Sequence, residues 1–163
     1  MLTNLLYRKL EPHELQECIN LELPLYPAHQ NWKVDMYHEF VKNPQMAFFV
    51  CEDVTIKKII GCAFALVGQG KRNDETWFQS NTVHPDYRRQ GIASHFIELR
   101  LQVGVRNRDR VVYVEMGVNN VSSIIMHLKM GFVPYLISDT YYDGVEDALC
   151  MRKYINEQKA FNS

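Results

Sequence analysis

The chain has 163 residues, enough for one compact domain and too few for two of ordinary size. Hydrophobic residues make up 47% and charged residues 23%, a balance that fills a core and excludes a disordered chain. The formal net charge of −1 supplies no global field for nucleic acid or an anionic membrane surface, so neither is expected as a partner.

The opening MLTNLLYRKLEPHEL has its apolar run broken by Arg8, Lys9 and Glu11, too early for a signal-peptide core. Nowhere do 18 apolar residues run together, so no spanning helix is expected. Cys18, Cys51, Cys62 and Cys150 form no C-x-x-C pair, and no histidine spacing suggests a zinc site. The expectation is idle or buried thiols in a reducing cytoplasm, with no metal.

Periodicity lays out one domain over residues 1–163. Leu5–Leu10 reads as a strand and Pro12–Leu23 as a helix, with Leu15, Cys18, Ile19 and Leu23 at helical spacing. Pro24 and Pro27 break the chain into a loop through Trp32, and Val34–Lys42 predicts a second helix with a stripe of Met36, Tyr37, Phe40 and Val41. Ala47–Glu52 and Ile59–Leu66 read as a hairpin, and Thr76–Val83 as a third strand of that group. Gly91–Val105 predicts a helix with Ile92, Phe96, Leu99 and Val103 on one side. Arg110–Val118 is β-rich, Val121–Met130 is helical and ends at Gly131, and Val133–Ile137 with Ala148–Tyr154 form a last strand pair. The order β-α-α-β-β-β-α-β-α-β-β implies a mixed α/β (α+β) sheet with helices packed on it.

The most informative segment is Asn81–Ser94, N-T-V-H-P-D-Y-R-R-Q-G-I-A-S. A strand ends at Val83, and Pro85 stops sheet pairing. Arg88, Arg89, Gln90 and Gly91 then lead into a helix whose first turn offers unpaired N–H groups and the positive end of its dipole. Glycine permits close approach of backbone to a ligand, Ala93 keeps the first turn small, and two arginines add charge: a site for phosphate or pyrophosphate. Neither G-x-G-x-x-G nor the Walker pattern is present.

This segment resembles the acetyl-CoA signature of the GCN5-related N-acetyltransferase superfamily, [Q/R]-x-x-G-x-[G/A], with Arg88–Ala93 satisfying every defined position. The resemblance implies that Asn81, Thr82 and Val83 pair with the pantetheine arm and that Arg88, Arg89, Gln90, Gly91, Ile92, Ala93 and Ser94 hold the pyrophosphate. It also implies a mostly antiparallel sheet of six to seven strands with about four helices. Asn120–Phe132 resembles the family's second motif, N-x-x-[A/S]-x-x-x-Y-x-x-x-G-F, through Asn120, Ser123, Gly131 and Phe132. Asn120 and Ser123 are thereby implied at the CoA arm. The sequence departs from the motif at the tyrosine that usually protonates the departing thiolate. His127 stands there, and an imidazole partly charged near neutrality would be able to donate a proton instead. Tyr135, Tyr141 and Tyr142 are alternatives from the final hairpin.

The family's direct attack of a neutral amine on a thioester needs the reactants held together, an oxyanion donor near Asn81 or Val83, and a base. Glu115 is the leading base: alternation groups it with Tyr113 and Gly117, opposite Val112, Val114 and Met116. Asp74 and Glu75 are runners-up. The acceptor, a small-molecule or peptide amine, is expected between the Pro24–Trp32 loop, with Tyr26, His29 and Trp32, and an acidic turn of Asp143, Glu146 and Asp147. A second reading keeps the cofactor loop but makes the chain a CoA-binding module without useful catalysis, and a third is a phosphate-binding domain unrelated to CoA. Oligomeric state is open, a homodimer being common in families of this kind.

Overall fold

The computed structural model describes residues 4–156. Seven strands and four α-helices follow in the expected order: β1 (Leu5–Lys9), α1 (Leu15–Glu22), α2 (Val34–Lys42), β2 (Met46–Asp53), β3 (Lys58–Gln69), β4 (Glu75–Val83), α3 (Ile92–Arg106), β5 (Val111–Gly117), α4 (Val121–Lys129), β6 (Val133–Tyr142) and β7 (Glu146–Tyr154). The last two strands run further than the apolar pattern suggests, because Ser138–Tyr142 and Glu146–Asp147 are polar or aromatic yet still extend the hairpin. The sheet order is β1-β2-β3-β4-β5-β7-β6, antiparallel throughout except for the β4–β5 pair.

Helices cover the two faces. α1 and α2 bury Leu15, Cys18, Ile19 and Tyr37 against Phe48, Val50, Cys62 and Phe64. On the other face Ile92, Phe96 and Ile97 of α3, with Phe132 after α4, pack on Phe49, Ile60, Val83, Phe78, Val112, Val114 and Met151. Two of the expected apolar stripes need correction. Met36 is exposed, leaving Tyr37 as the buried residue of α2. In α3 the buried line runs Ile92, Phe96, Arg100 and Gly104, in step with a four-residue ridge, so a guanidinium occupies a core position.

The parallel pairing of β4 with β5 runs only from Glu75 opposite Val111 to Phe78 opposite Val114. Beyond it, Gln79–Val83 and Glu115–Gly117 have no ladder between them, so the sheet forks. The fork coincides with a bulge. Asn81 pairs with Ala63 but Phe78 pairs with Ala65, so β4 carries one residue more than β3 over this stretch. The extra residue turns Ser80 and Thr82 towards α1, and Asn81 and Val83 towards α3.

Candidate active site

On the α3 side of the fork, His84–Gly91 forms the loop expected to cradle a phosphate. His84 caps a short turn at Pro85–Tyr87 by accepting from the Asp86 N–H. Arg89 and Gly91 both take left-handed backbone conformations, φ +65° and +84°, and Gly91 is the N-cap of α3. Such alternation turns successive N–H groups towards one concavity, which suits an anion. A Cβ built on Gly91 meets no protein atom within 4 Å, so the space above the helix start is open. Arg88, Arg89 and Gln90 are exposed, although Nε of Arg88 also donates to the Val83 carbonyl at 3.2 Å. Ile92 is buried as the loop's anchor, while Ala93 and Ser94 line the first turn.

Asn81 joins this loop to the fork. Its Nδ2 donates to the Ala93 carbonyl at 3.1 Å, while its buried Oδ1 has no partner among the described residues. An orphan acceptor beside an open helix N-terminus fits an elongated ligand that carries amide N–H groups on an arm behind a diphosphate. Asn120 caps α4, its Oδ1 accepting from the Ser123 N–H at 3.3 Å, so the motif asparagine orders the helix facing α3.

Thr82 does not face the loop. It belongs to a buried network that the sequence reading missed, centred on Glu22. The Glu22 carboxylate accepts from Tyr37 at 2.7 Å, from Thr82 at 3.0 Å and from Ser80. Tyr26 lies in the same network, its hydroxyl 3.2 Å from the Asn81 carbonyl and 3.4 Å from Thr82. Burial, then the charge of Glu22, pushes the Tyr26 phenol up, so it remains a protonated donor. Behind β4, Nη1 of the buried Arg100 donates to the carbonyls of Ser80 (2.9 Å) and Phe64 (3.3 Å), the pair that the bulge skips. Burial lowers the Arg100 pKa to about 9, which leaves the guanidinium charged at neutral pH. The bulge that opens the fork is therefore held by a carboxylate on one face and a guanidinium on the other. The signal for Glu22 was present: Leu15, Cys18, Ile19 and Glu22 share helical spacing, which puts the carboxylate in the buried stripe.

Glu115 lies at the mouth of the fork on the α1 face, with Tyr113 and Gly117 as alternation predicts. Burial raises its pKa, and burial first, then in smaller part the Glu115 charge, raises those of Tyr135, Tyr141, Tyr142 and Cys150. The carboxylate thus lies within electrostatic reach of three phenols of β6, all protonated at neutral pH. Asp74 is committed elsewhere, in an ion pair with Arg110 at 3.3 Å, and Glu75 accepts from the Trp77 indole N–H at 3.0 Å.

The loop before α2 is tied to the final hairpin. Glu146 meets His29 Nε2 at 2.9 Å, accepts from Gln30 at 2.6 Å, and is reached by the Asn119 N–H at 3.4 Å. These contacts, His29 first, hold its carboxyl below the usual range. A side chain at Gly117 would collide with both Glu146 and Gln30, so the clasp closes directly over the end of β5. Tyr26 and His29 therefore border the fork, but Trp32 does not: its ring packs on Phe40, Phe64 and Tyr37, at 4.4, 5.2 and 6.0 Å between centroids.

His127 also differs from expectation. It is 2% exposed, and burial lowers its pKa to about 4, so the imidazole is neutral rather than partly charged near neutrality. Nδ1 lies 2.9 Å from the Ser123 carbonyl and carries the ring proton there, leaving Nε2 bare. Among the described residues no helix is long and apolar enough to cross a membrane, and no group of histidine, cysteine or acidic residues could hold a metal.

Comparison with known proteins agrees with this architecture. The catalytic subunit NAA20 of the N-terminal acetyltransferase B complex of Arabidopsis thaliana is 31% identical over 96 residues, 56% of this chain and 55% of the relative. The ribosomal protein bS18-alanine N-acetyltransferase of Escherichia coli is 30% identical over 81 residues, 48% of this chain and 55% of the relative. The chain thus matches about half the length of these relatives. In three dimensions it superposes on the crystal structure of that Escherichia coli enzyme with a TM-score of 0.78 at 22% identity, covering 93% of this chain and 94% of the other. A chain of the NatC complex bound to Gag peptide and CoA gives 0.83 at 17% identity, covering 93% and 99%. The model of the acetyltransferase (GNAT) family, whose acyl donor is acetyl-CoA, matches residues 13–132, and the chain belongs to that family.

Proposed function

We propose that this chain transfers the acetyl group of acetyl-CoA to the α-amine of a protein or peptide N-terminus. The observation that carries the reading is the forked sheet. An anion-ready helix start and an orphan Asn81 acceptor lie on one side, and a partly desolvated carboxylate among phenols lies on the other. The relatives named for N-terminal and ribosomal-protein-alanine acetylation support an α-amine over a polyamine or sugar amine. The reading also fits the chemistry of Glu115. An α-amine has a pKa near 8 and a lysine amine near 10.4, so a carboxylate of raised basicity deprotonates the former far more readily.

In this reading Gly91 and its neighbours, with Arg88 and Arg89, hold the diphosphate, Asn81 meets the arm, and Asn120 and Ser123 shape the opposite wall. The acceptor nitrogen forms its bond to the thioester carbon and gives its proton to Glu115. The C–S bond breaks with its electron pair on sulfur, whose thiol has a pKa of about 8.5 and leaves readily. Backbone N–H groups near Asn81 and Val83 are the candidates for the oxyanion. Tyr26 and His29 border the acceptor path.

The test is CoA release from acetyl-CoA with peptides of varied N-terminal residues beside spermidine, lysine and an aminoglycoside. Turnover is expected with peptides and should vanish when their α-amine is blocked. Faster turnover on any of the small amines would overturn the acceptor class. Donor binding with no turnover on any amine would favour the CoA-binding module, and no binding at all the phosphate-binding domain.

A further inference from the structure

The α1 face of the sheet is covered over only part of its width: α1 and α2 pack on β2 and β3. Beyond the fork the same face carries a continuous layer of rings. Trp77 of β4 pairs with Tyr113 of β5, and Tyr113 with Arg152 of β7, so all three project from one face. Val112 and Val114, one residue out of step, are buried on the other. Ring centroids are 6.3 Å apart from Trp77 to Tyr113 and 5.6 Å from Tyr113 to Tyr135. The Arg152 guanidinium carbon contacts two rings, 5.2 Å from the centre of Tyr135 and 5.4 Å from that of Tyr154. Trp77, Tyr135 and Tyr154 are nonetheless 39%, 41% and 44% exposed, a contiguous aromatic surface of the kind that marks an interaction site.

This layer holds one unmet charge. Arg110 at its margin is paired with Asp74 at 3.3 Å. No carboxylate among the described residues pairs with Arg152, and its buried Nε has no hydrogen-bond partner. Ring contacts steady a guanidinium without using its N–H groups, which remain free for a carboxylate. The layer is also continuous with the fork. Glu115 projects from the same face as Tyr113, two residues on, about 7 Å along the strand. On the far side of Glu115 the clasp of His29, Gln30 and Glu146 closes over Gly117. A chain whose amine meets Glu115 therefore leaves towards Tyr113 and Arg152.

We propose that this layer is a docking track for the acceptor polypeptide, and that Arg152 receives a carboxylate carried near its third residue. The inference rests on the α-amine reading and extends it past the reacting nitrogen. Two extended residues span the distance of about 7 Å between Glu115 and the row of Arg152. The occupant is the extended segment just behind the acceptor N-terminus, acidic where it crosses Arg152 and apolar where it crosses Tyr135 and Tyr154. A small amine has nothing to lay on this surface.

The test uses the full chain and synthetic peptides sharing one N-terminal residue, with Glu or Gln at the third position and an apolar tail, beside the tripeptide amides that lack the tail. Turnover is read by CoA release. We expect the peptide KM to be about tenfold lower with Glu than with Gln, the effect of one charge-assisted hydrogen bond, and lower again with the tail than without it. In Arg152→Met the preference for Glu should vanish, and in Arg152→Glu a third-position Lys should become the favoured residue. Tyr135→Ala, at an exposed position, should raise the KM of the tailed peptide towards that of the tripeptide. Binding is read apart from chemistry. The same peptides with their α-amine already acetylated should change the Trp77 fluorescence, with Trp77→Phe as the blank for Trp32. Equal KM for the Glu and Gln peptides in the unmodified chain overturns the proposal, even if Arg152→Met fails to fold and even while acetyl transfer stands. A folded Arg152→Met that keeps the preference overturns it too. A dimer in sedimentation that Tyr135→Ala splits would give the layer to a second copy and has the same consequence. If no peptide is acetylated, the α-amine reading fails and the fluorescence still decides: tighter binding with Glu than with Gln keeps the docking track, and equal or absent binding removes it.

Discussion

The two sides of the fork are built in different ways. The donor side is local: Asn81 to Ser94 supplies a strand end, a turn, two left-handed residues and a helix start in 14 consecutive positions. The acceptor side is assembled from afar. His29 and Gln30 reach Glu146 across more than 110 residues, and Tyr26 reaches Asn81 across 55. A cradle made of consecutive backbone can be specified by a short motif and tolerates change elsewhere. A clasp of side chains depends on each partner and can be retuned one residue at a time. The donor is therefore expected to be fixed by the motif, and acceptor preference to be set by the clasp.

The largest effect that would break this comparison is on the donor side. Gly91→Glu puts bulk and negative charge where N–H groups converge, and at φ +84° the new side chain also strains the backbone. We expect donor affinity to fall by about a thousandfold, a loss of about 4 kcal/mol, read by calorimetry with acetyl-CoA. An unchanged dissociation constant would show that the loop does not hold the diphosphate. Next comes Glu115→Gln, for which we expect about a hundredfold loss of kcat, the usual size of a general-base effect. The loss should be greatest below pH 8, where an α-amine is mostly protonated, and should narrow above it. Burial raises the Glu115 pKa in the folded chain, so ionising it costs stability as the pH climbs past its unfolded value, near 4.3, and through the raised one. Glu115→Gln should thus melt no lower than the parent at pH 7, and the two should converge near pH 4. A variant that is slow and also less stable at pH 7 would mark Glu115 as structural.

The same contrast decides what the sequence could reveal. Element order, the fork's strands and the Arg88–Ala93 loop were legible because each follows from neighbours along the chain, in period, capping and glycine placement. Glu115 could be assigned to its face by alternation alone. What could not be read was partnership at a distance. His29 and Glu146 were each visible as polar residues near the acceptor path, but nothing in either segment announces the other. Trp32 looked like an acceptor wall because aromatic residues in a proline-rich loop suit both roles, and only packing against Phe40 and Phe64 distinguishes them. His127 looked like an acid because its charge was judged from the free imidazole. Burial, a tertiary fact, reverses that, even against the Ser123 carbonyl, whose hydrogen bond favours the charged ring. Glu22 and Arg100 were readable in principle, since each stands in phase with an apolar stripe, but a charged residue there is easily passed over as an interruption.

Two smaller effects sharpen the acceptor side. Glu146→Ala removes the carboxylate that gathers His29, Gln30 and Asn119, freeing the loop before α2 from the final hairpin. We expect the acceptor KM to rise about tenfold with donor affinity unchanged, the signature of lost binding rather than lost chemistry. Equal effects on donor and acceptor would mean that the clasp supports the whole fork. Tyr26→Phe should do least. It deletes one hydroxyl that lies 3.2 Å from the Asn81 carbonyl and 3.4 Å from Thr82, while the Glu22 carboxylate keeps Tyr37, Thr82 and Ser80. With only the Asn81 carbonyl losing a donor, stability should drop by about 1 kcal/mol, measured by urea unfolding. Turnover should fall only a fewfold if the hydroxyl merely steadies the splayed end of β4. A loss as deep as that of Glu115→Gln would move Tyr26 from the wall of the site into its chemistry, and would place the reaction on the α1 face of the fork, where Glu115 already stands.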